Sequence, residues 1–229
     1  MSFDIAIRST EILLALAYIQ QSAEHLVGPR DEKILFIQRL ALSVFLLLGI
    51  QTQWVCLALV VLGLFVLKRF QGPYNGGSDR MGLLILCCLC AVHFIPWFIV
   101  QEIIFAYLAL QLVLSYFISG WVKIVNPEWR NGRALQDVFQ FSTYPVSENL
   151  REFAKRPHLL WVMSWAVILF EIMFPISLLS RETLICGLVI AGLFHLANAC
   201  LFGLNRFLWI WIAAYPSILW FQHRIFALG

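Results

Sequence analysis

Residues 100–124 read VQEIIFAYLALQLVLSYFISGWVKI, and this stretch decides the class of fold. Its length suffices to cross the hydrocarbon core of a bilayer, which takes about 20 mostly apolar residues in a helix. The apolar residues run on without the alternation of a barrel strand, and a helix satisfies its own backbone hydrogen bonds in lipid. The stretch therefore predicts a transmembrane helix.

The composition of the whole chain indicates the same environment. Of the 229 residues, 61% are hydrophobic and 13% are charged, whereas soluble domains are about 45–50% apolar and about 25% charged. Apolar runs predict helices at about residues 5–22, 34–50, 53–67, 82–98, 100–124, 159–179, 183–203 and 205–222. We therefore predict an all-α polytopic membrane bundle of seven or eight spans, forming a single domain over residues 1–229.

Basic residues are distributed unevenly among the loops of an eight-span arrangement. Most Lys and Arg residues fall on one side, whereas Arg8, Arg181 and Arg224 flank the other. The positive-inside rule makes the first side cytoplasmic and puts both ends of the chain outside. A net charge of +3 is ordinary for such a protein and does not indicate nucleic-acid binding.

The longest polar segment, at about residues 125–157, is too long for a simple connector. Gly132–Phe141 and Ser147–Lys155 can each form a short amphipathic helix, the second with Ser147 as its N-cap. We expect this interfacial segment to fold against the membrane surface, with Trp129 at the interface and membrane lipid as its partner.

A stripe of polar residues follows the helix over 100–124 and ends at a lysine. Its members are Gln111, Ser115, Ser119 and Lys123, spaced four residues apart, so they share one side of a helix. In one interpretation the Ser and Gln side chains form hydrogen bonds to neighbouring helices, and the lysine snorkels to the headgroups. In the other the lysine lies in a semi-dry pocket, where desolvation makes the amine usable as a base.

Ionisable residues inside predicted spans indicate either a polar partner or a functional role, because placing them in lipid costs free energy. Besides Lys123 they are Arg39, His93, Glu102, Glu171 and His195. His195 and Asn198 share a helix face, and Glu171 lies at a depth comparable to that of His195 in the preceding helix. The two can form an interhelical pair or share a ligand. We expect no metal, since no spacing typical of a zinc site occurs. His93, close to Pro96, is expected to pack beside a kink.

Three segments together resemble a known family. They are Tyr116–Ala134 (YFISGWVKIVNPEWRNGRA), Phe194–Gly203 (FHLANACLFG) and Tyr74–Asp79 (YNGGSD). Their order and spacing resemble the membrane domain of vitamin K-dependent γ-carboxylase, also called the horizontally transferred transmembrane domain. The resemblance implies a small member of bacterial type, in the bacterial cytoplasmic membrane.

The resemblance also implies a reaction inside the membrane with a reduced quinone of the vitamin K or menaquinone type. Lys123 matches the lysine that deprotonates the reduced quinone, and we expect His195 to act with it. The residues expected to line the cofactor site are Gln111, Ser115, Ser119, Trp129, Glu171 and Asn198. The substrate is then a peptide or a small molecule. The alternative is a non-catalytic accessory protein that serves a partner membrane protein in the maturation or export of a secreted peptide.

Overall fold

The computed structural model describes residues 1–27, 29–69, 76–141 and 147–226. Almost all of these residues are helical, and no strand occurs among them. The helices are α1 (Phe3–Glu24), α2 (Arg30–Leu48), α3 (Thr52–Arg69), α4 (Gly76–Phe94), α5 (Phe98–Val125), α6 (Pro127–Arg130), α7 (Arg133–Phe141), α8 (Pro157–Met173), α9 (Arg181–Phe202) and α10 (Asn205–Phe226). Shorter 3₁₀ segments cover His25–Val27, Glu148–Lys155 and Phe174–Leu179. The prediction of an all-α fold is confirmed.

Each of the eight predicted runs corresponds to one long helix. The largest difference is at α4, predicted over about 82–98 but observed from Gly76 to Phe94. Residues 95–97 leave the helix, because the residue before Pro96 is disfavoured in helical conformation. The sixth run continues past the end of α8 as the 3₁₀ segment Phe174–Leu179.

Five helices of the described chain are long and apolar enough to cross a membrane. They are α3, α4, α5, α8 with its 3₁₀ extension, and α9. Three further helices, α1, α2 and α10, have similar length but are less apolar. The chain is therefore a membrane helical bundle. That seven or eight of its helices cross the membrane stays a prediction.

The chain forms two compact units. The first comprises Met1–Leu110 and Arg206–Gly229, and the second comprises Gln111–Asn205. In the first unit Phe3 packs edge-on against two other buried rings, with centroids 5.7 Å from Phe105 and 5.2 Å from Trp220.

In the second unit the interfacial segment packs on α8. The apolar side of α7 buries Leu135 and Phe139 against Leu160. The predicted helix over Gly132–Phe141 is thus observed as α7. The second predicted helix, over Ser147–Lys155, is a 3₁₀ helix in which the Ser147 side chain accepts from the Asn149 amide. Residues 142–146 between them lie outside the described part.

Candidate functional site

The polar stripe of α5 lies beside the face that this helix buries. Leu112, Tyr116 and Gly120 are buried along that face. The half-buried stripe residues are Gln111, Ser115, Ser119 and Lys123. The Ser115 hydroxyl donates to the Leu112 carbonyl at 2.7 Å, so this bond stays within the helix. At the end of the stripe, Lys123 reaches across to α8.

Lys123 and Glu171 form an ion pair inside the second unit. The lysine Nζ donates to the Glu171 Oε2 at 2.6 Å. The side chain of Glu171 is 4% exposed and that of Lys123 is 15% exposed. The lysine amine thus contacts a buried carboxylate of α8. It also gives Glu171 an ionic partner other than the predicted His195.

Gly120 brings α5 and α8 close enough for this ion pair. A Cβ at Gly120 would lie 2.7 Å from the Cγ1 of Ile172 and 2.8 Å from its backbone nitrogen. Real Cβ atoms do not approach other atoms that closely, so a larger residue would push the helices apart. Since Ile172 directly follows Glu171 and Gly120 precedes Lys123 by three residues, this close approach lies beside the ion pair.

The indole of Trp129 covers the lysine from the interfacial segment. The Lys123 Nζ lies 5.2 Å from the centre of the Trp129 ring, within the range of a cation–π contact. Two side chains of α8 fix α6 in place. The Ser164 hydroxyl donates to the Trp129 carbonyl, and the Trp165 indole donates to the Arg130 carbonyl at 3.0 Å.

Gly132 completes the attachment of the interfacial segment to α8. Its φ is +81°, a left-handed conformation that favours glycine. A Cβ there would lie 2.9 Å from the Cα and the backbone nitrogen of Trp161. The chain can therefore turn from α6 into α7 directly against the backbone of α8.

A second buried pair joins α5 and α9. The Tyr116 hydroxyl lies 2.8 Å from the His195 Nε2, and both residues are buried, with His195 4% exposed. The Tyr116 ring also packs on Phe174, with centroids 4.2 Å apart, and on Phe170, at 5.6 Å. Sequence reasoning did not select Tyr116. The available signal was its position seven residues before Lys123, which places the two on one side of a helix.

Asn198 follows His195 by almost one turn of α9 and is half-buried. The structure thus places the predicted site residues of α5, α6, α8 and α9 within one compact unit. Lys123 contacts both Glu171 and Trp129, and His195 contacts Tyr116. Within the described ranges, no group of three or more His, Cys, Asp and Glu residues could hold a metal ion.

The other ionisable residues predicted inside spans also have partners. The guanidinium of Arg39 stacks over the Tyr18 ring at 3.8 Å, and Glu102 pairs with Arg224 at 2.9 Å. His93, expected only to pack beside a kink, contacts a buried carboxylate of α1 at 2.6 Å. The segment Tyr74–Asp79 is described only from Gly76 onward; its Asp79 carboxylate accepts from Gln21 of α1 at 3.1 Å.

A comparison with protein families shows which family the chain belongs to. A family model for the HTTM domain matches residues 99–223, which is more than half of the chain. The chain belongs to the HTTM domain family. This domain is associated with membrane proteins similar to vitamin K-dependent γ-carboxylase. The site residues of α5, α6, α8 and α9 lie within the match. Comparison with curated proteins and with solved structures finds no match.

Proposed function

We propose that this HTTM protein is an intramembrane enzyme similar to the membrane domain of vitamin K-dependent γ-carboxylase. It uses a reduced quinone of the vitamin K or menaquinone type, with Lys123 as the base and a peptide or small molecule as the substrate. The observation that supports this proposal is the contact of 2.6 Å between Lys123 and the buried Glu171 carboxylate, within the HTTM match.

A lysine acts as a base only when its amine is neutral. Glu171 is close enough to take the ammonium proton, which converts the ion pair into a neutral amine and a carboxylic acid. Burial favours this conversion, because two charges withdrawn from water each carry a desolvation penalty. In the proposed reaction Lys123 accepts a hydroxyl proton from the bound hydroquinone, and Glu171 holds the proton that the lysine gave up.

Aromatic side chains of the second unit support the proposal of a flat aromatic cofactor. Trp129 covers one side of the lysine amine, and Tyr116 forms an aromatic cluster with Phe170 and Phe174. When bound, a reduced quinone supplies an acidic hydroxyl group and reducing equivalents that the protein's own side chains lack. His195 orients the Tyr116 hydroxyl through their hydrogen bond. We propose Gln111, Ser115, Ser119 and Asn198 as the polar contacts of the cofactor.

The proposed location is the bacterial cytoplasmic membrane, where a lipid-soluble cofactor reaches the site from the bilayer. The decisive experiment reconstitutes the full chain in lipid vesicles with reduced menaquinone, oxygen and bicarbonate, and follows menaquinol oxidation and modified peptides by mass spectrometry. Removal of the base should lower the rate at least about 100-fold. We therefore expect Lys123→Met to abolish menaquinol turnover above the rate of empty vesicles.

Two controls separate catalysis from folding. Lys123→Met leaves Glu171 unpaired, so the double variant Lys123→Met/Glu171→Gln, which holds neither charge, should fold but remain inactive. Lys155→Met removes a lysine that is 78% exposed and paired only on the surface, and should retain full turnover. Full activity of the double variant would contradict the role of Lys123. Absence of turnover in the wild type would favour the accessory function.

A further inference from the structure

A polar cavity lies in the first unit, among residues that the proposed reaction does not use. Its volume is about 460 Å³, within the size range of pockets that take small molecules. The charged or titratable side chains that line it are Asp4, Arg8, Glu11 and His93. The apolar part of the wall includes Phe3, Ile7 and Val92.

The Glu11 carboxylate is 2% exposed and is held from two sides. Its Oε2 accepts from the Arg8 Nη1 at 2.7 Å, and its Oε1 lies 2.6 Å from the His93 Nε2. A carboxylate has no proton to give, so the ring nitrogen is the donor.

The positive charge of Arg8 is offset by the protein itself. In addition to Glu11, its guanidinium donates to the carbonyls of Leu46 and Leu47. These carbonyls end α2, where the helix dipole adds partial negative charge. The remaining formal charge on the wall is the carboxylate of Asp4, which is exposed.

The neutral polar residues of the wall also present acceptors. The Gln101 amide nitrogen donates to the carbonyls of Val92 and Ile95, at 3.1 and 2.7 Å. Both amide protons are therefore engaged, and its carbonyl oxygen is the atom left to bond a ligand. With Asp4, the wall offers two side-chain acceptors, whereas the donors of Gln101 and most of those of Arg8 are already in use.

We propose that this cavity binds the protonated amino group of a small organic amine. The ammonium group lies against the acceptors of Asp4 and Gln101, and the alkyl part lies against Phe3 and Val92. A ring face close to the charge adds a cation–π contact. A carboxylate ligand fits less well, because Asp4 would repel it and the guanidinium of Arg8 is already engaged.

The test uses the full chain in detergent and two probes of equal size, n-butylammonium and butyrate, at the same ionic strength. Thermal unfolding followed by tryptophan fluorescence gives an apparent Kd from the rise in Tm with probe concentration. We expect a saturable rise with n-butylammonium and none with butyrate. Asp4→Asn should weaken the apparent Kd for n-butylammonium at least about tenfold, the usual effect of losing a hydrogen bond between charged groups.

Asp137→Asn is the matched control, since this aspartate is exposed on α7, outside the first unit. It should bind n-butylammonium as the wild type does. Thr52→Phe fills the cavity from α3 and should abolish the rise in Tm. An unchanged Kd in both Asp4→Asn and Thr52→Phe would overturn the proposal. An equal response to the two probes, or no response to n-butylammonium, would overturn it as well. Menaquinol turnover is not measured, so this result is independent of the proposed function.

Discussion

Lys123 and Glu171 each carry a charge whose burial in a membrane interior costs free energy. Their ion pair offsets part of this cost for both residues. A single charged residue costs about 2.5–3.5 kcal/mol at the centre of an inserted helix. In the folded unit the contact of 2.6 Å offsets part of that cost. The pair is therefore a stability element as well as the proposed proton carrier, and a variant of one partner affects both properties.

Removal of one partner should destabilise the second unit. We expect Lys123→Met to lower the free energy of unfolding by about 3–5 kcal/mol, because it leaves the Glu171 carboxylate buried and unpaired. Lys123→Met/Glu171→Gln should recover most of this loss. Reversible unfolding in detergent measures all three proteins. As a control, Glu148→Gln breaks an exposed pair with Arg151 and should change stability by about 1 kcal/mol or less. A double variant that recovers none of the stability lost in Lys123→Met would contradict the coupling of the two residues.

His25 makes the stability of the first unit depend on pH. Burial lowers the pKa of His25, and the adjacent Arg206 guanidinium lowers it further. The Arg206 Nη2 lies 2.6 Å from the His25 Nε2. Because an arginine can only donate, the ring nitrogen accepts and the histidine is neutral. Glu32, at 3.5 Å from the other ring nitrogen, opposes the shift without reversing it.

The direction of the pH effect follows from this lowered pKa. Above the ordinary pKa of histidine, about 6.5, His25 is neutral in both the folded and the unfolded state. In this range it causes no loss of stability. As pH falls below that value, the unfolded chain binds the proton first and stability decreases. We expect the Tm to fall between pH 7.5 and 5.5, and His25→Gln to reduce this fall. His158→Gln removes an exposed histidine and should leave the fall unchanged.

At the level of elements, the crossing of α5 and α8 depends on Gly120. Gly120→Ala should destabilise the protein by about 1–3 kcal/mol, the usual cost of an overpacked contact, and should lengthen the distance between Lys123 and Glu171. Gly192→Ala is the matched control, because a Cβ there meets no atom within 4 Å and alanine favours the helix. Thermal unfolding in detergent compares the two variants. Equal stability of both would show that α5 and α8 do not need this contact.

The long helices could be predicted from sequence because their signal is local. An apolar run bounded by polar residues determines where α5 or α9 begins and ends to within a few residues. The single turn α6 gave no such signal, since its position depends on contacts with α8 made by Ser164 and Trp165. Short helices fixed by tertiary contacts leave little periodicity in the sequence.

The members of the site could be predicted more readily than their partners. An ionisable residue inside an apolar run is conspicuous, and this identified Lys123, Glu171 and His195. Which of them meet depends on helix rotation and on close approaches such as that at Gly120, neither of which composition encodes. Tyr116 was overlooked because a tyrosine in an apolar helix is common and draws attention only once its hydroxyl has a partner.

For the whole molecule, the number of helices that cross the membrane can be tested from the sides on which the turns lie. In an eight-span arrangement, the distribution of basic residues puts the turn at Val27 on the cytoplasmic side and that at Gln51 outside. A membrane-impermeant maleimide should then label Gln51→Cys in intact cells, and Val27→Cys only after permeabilisation. Both positions are exposed, and the unmodified chain gives the background. Labelling of both in intact cells would show that α2 does not cross.

The distance in sequence between the two charges of the ion pair affects the synthesis of the protein. Lys123 precedes Glu171 by 48 residues, and a ribosome adds about 5–20 residues per second. The lysine therefore leaves the ribosome about 2–10 s before its carboxylate partner exists. During that interval the lysine of α5 lacks its carboxylate partner, and we expect the insertion of α5 to be completed only when α8 arrives. Nascent chains arrested before α8 should hold α5 at the translocon, whereas chains arrested after α9 should release it into lipid.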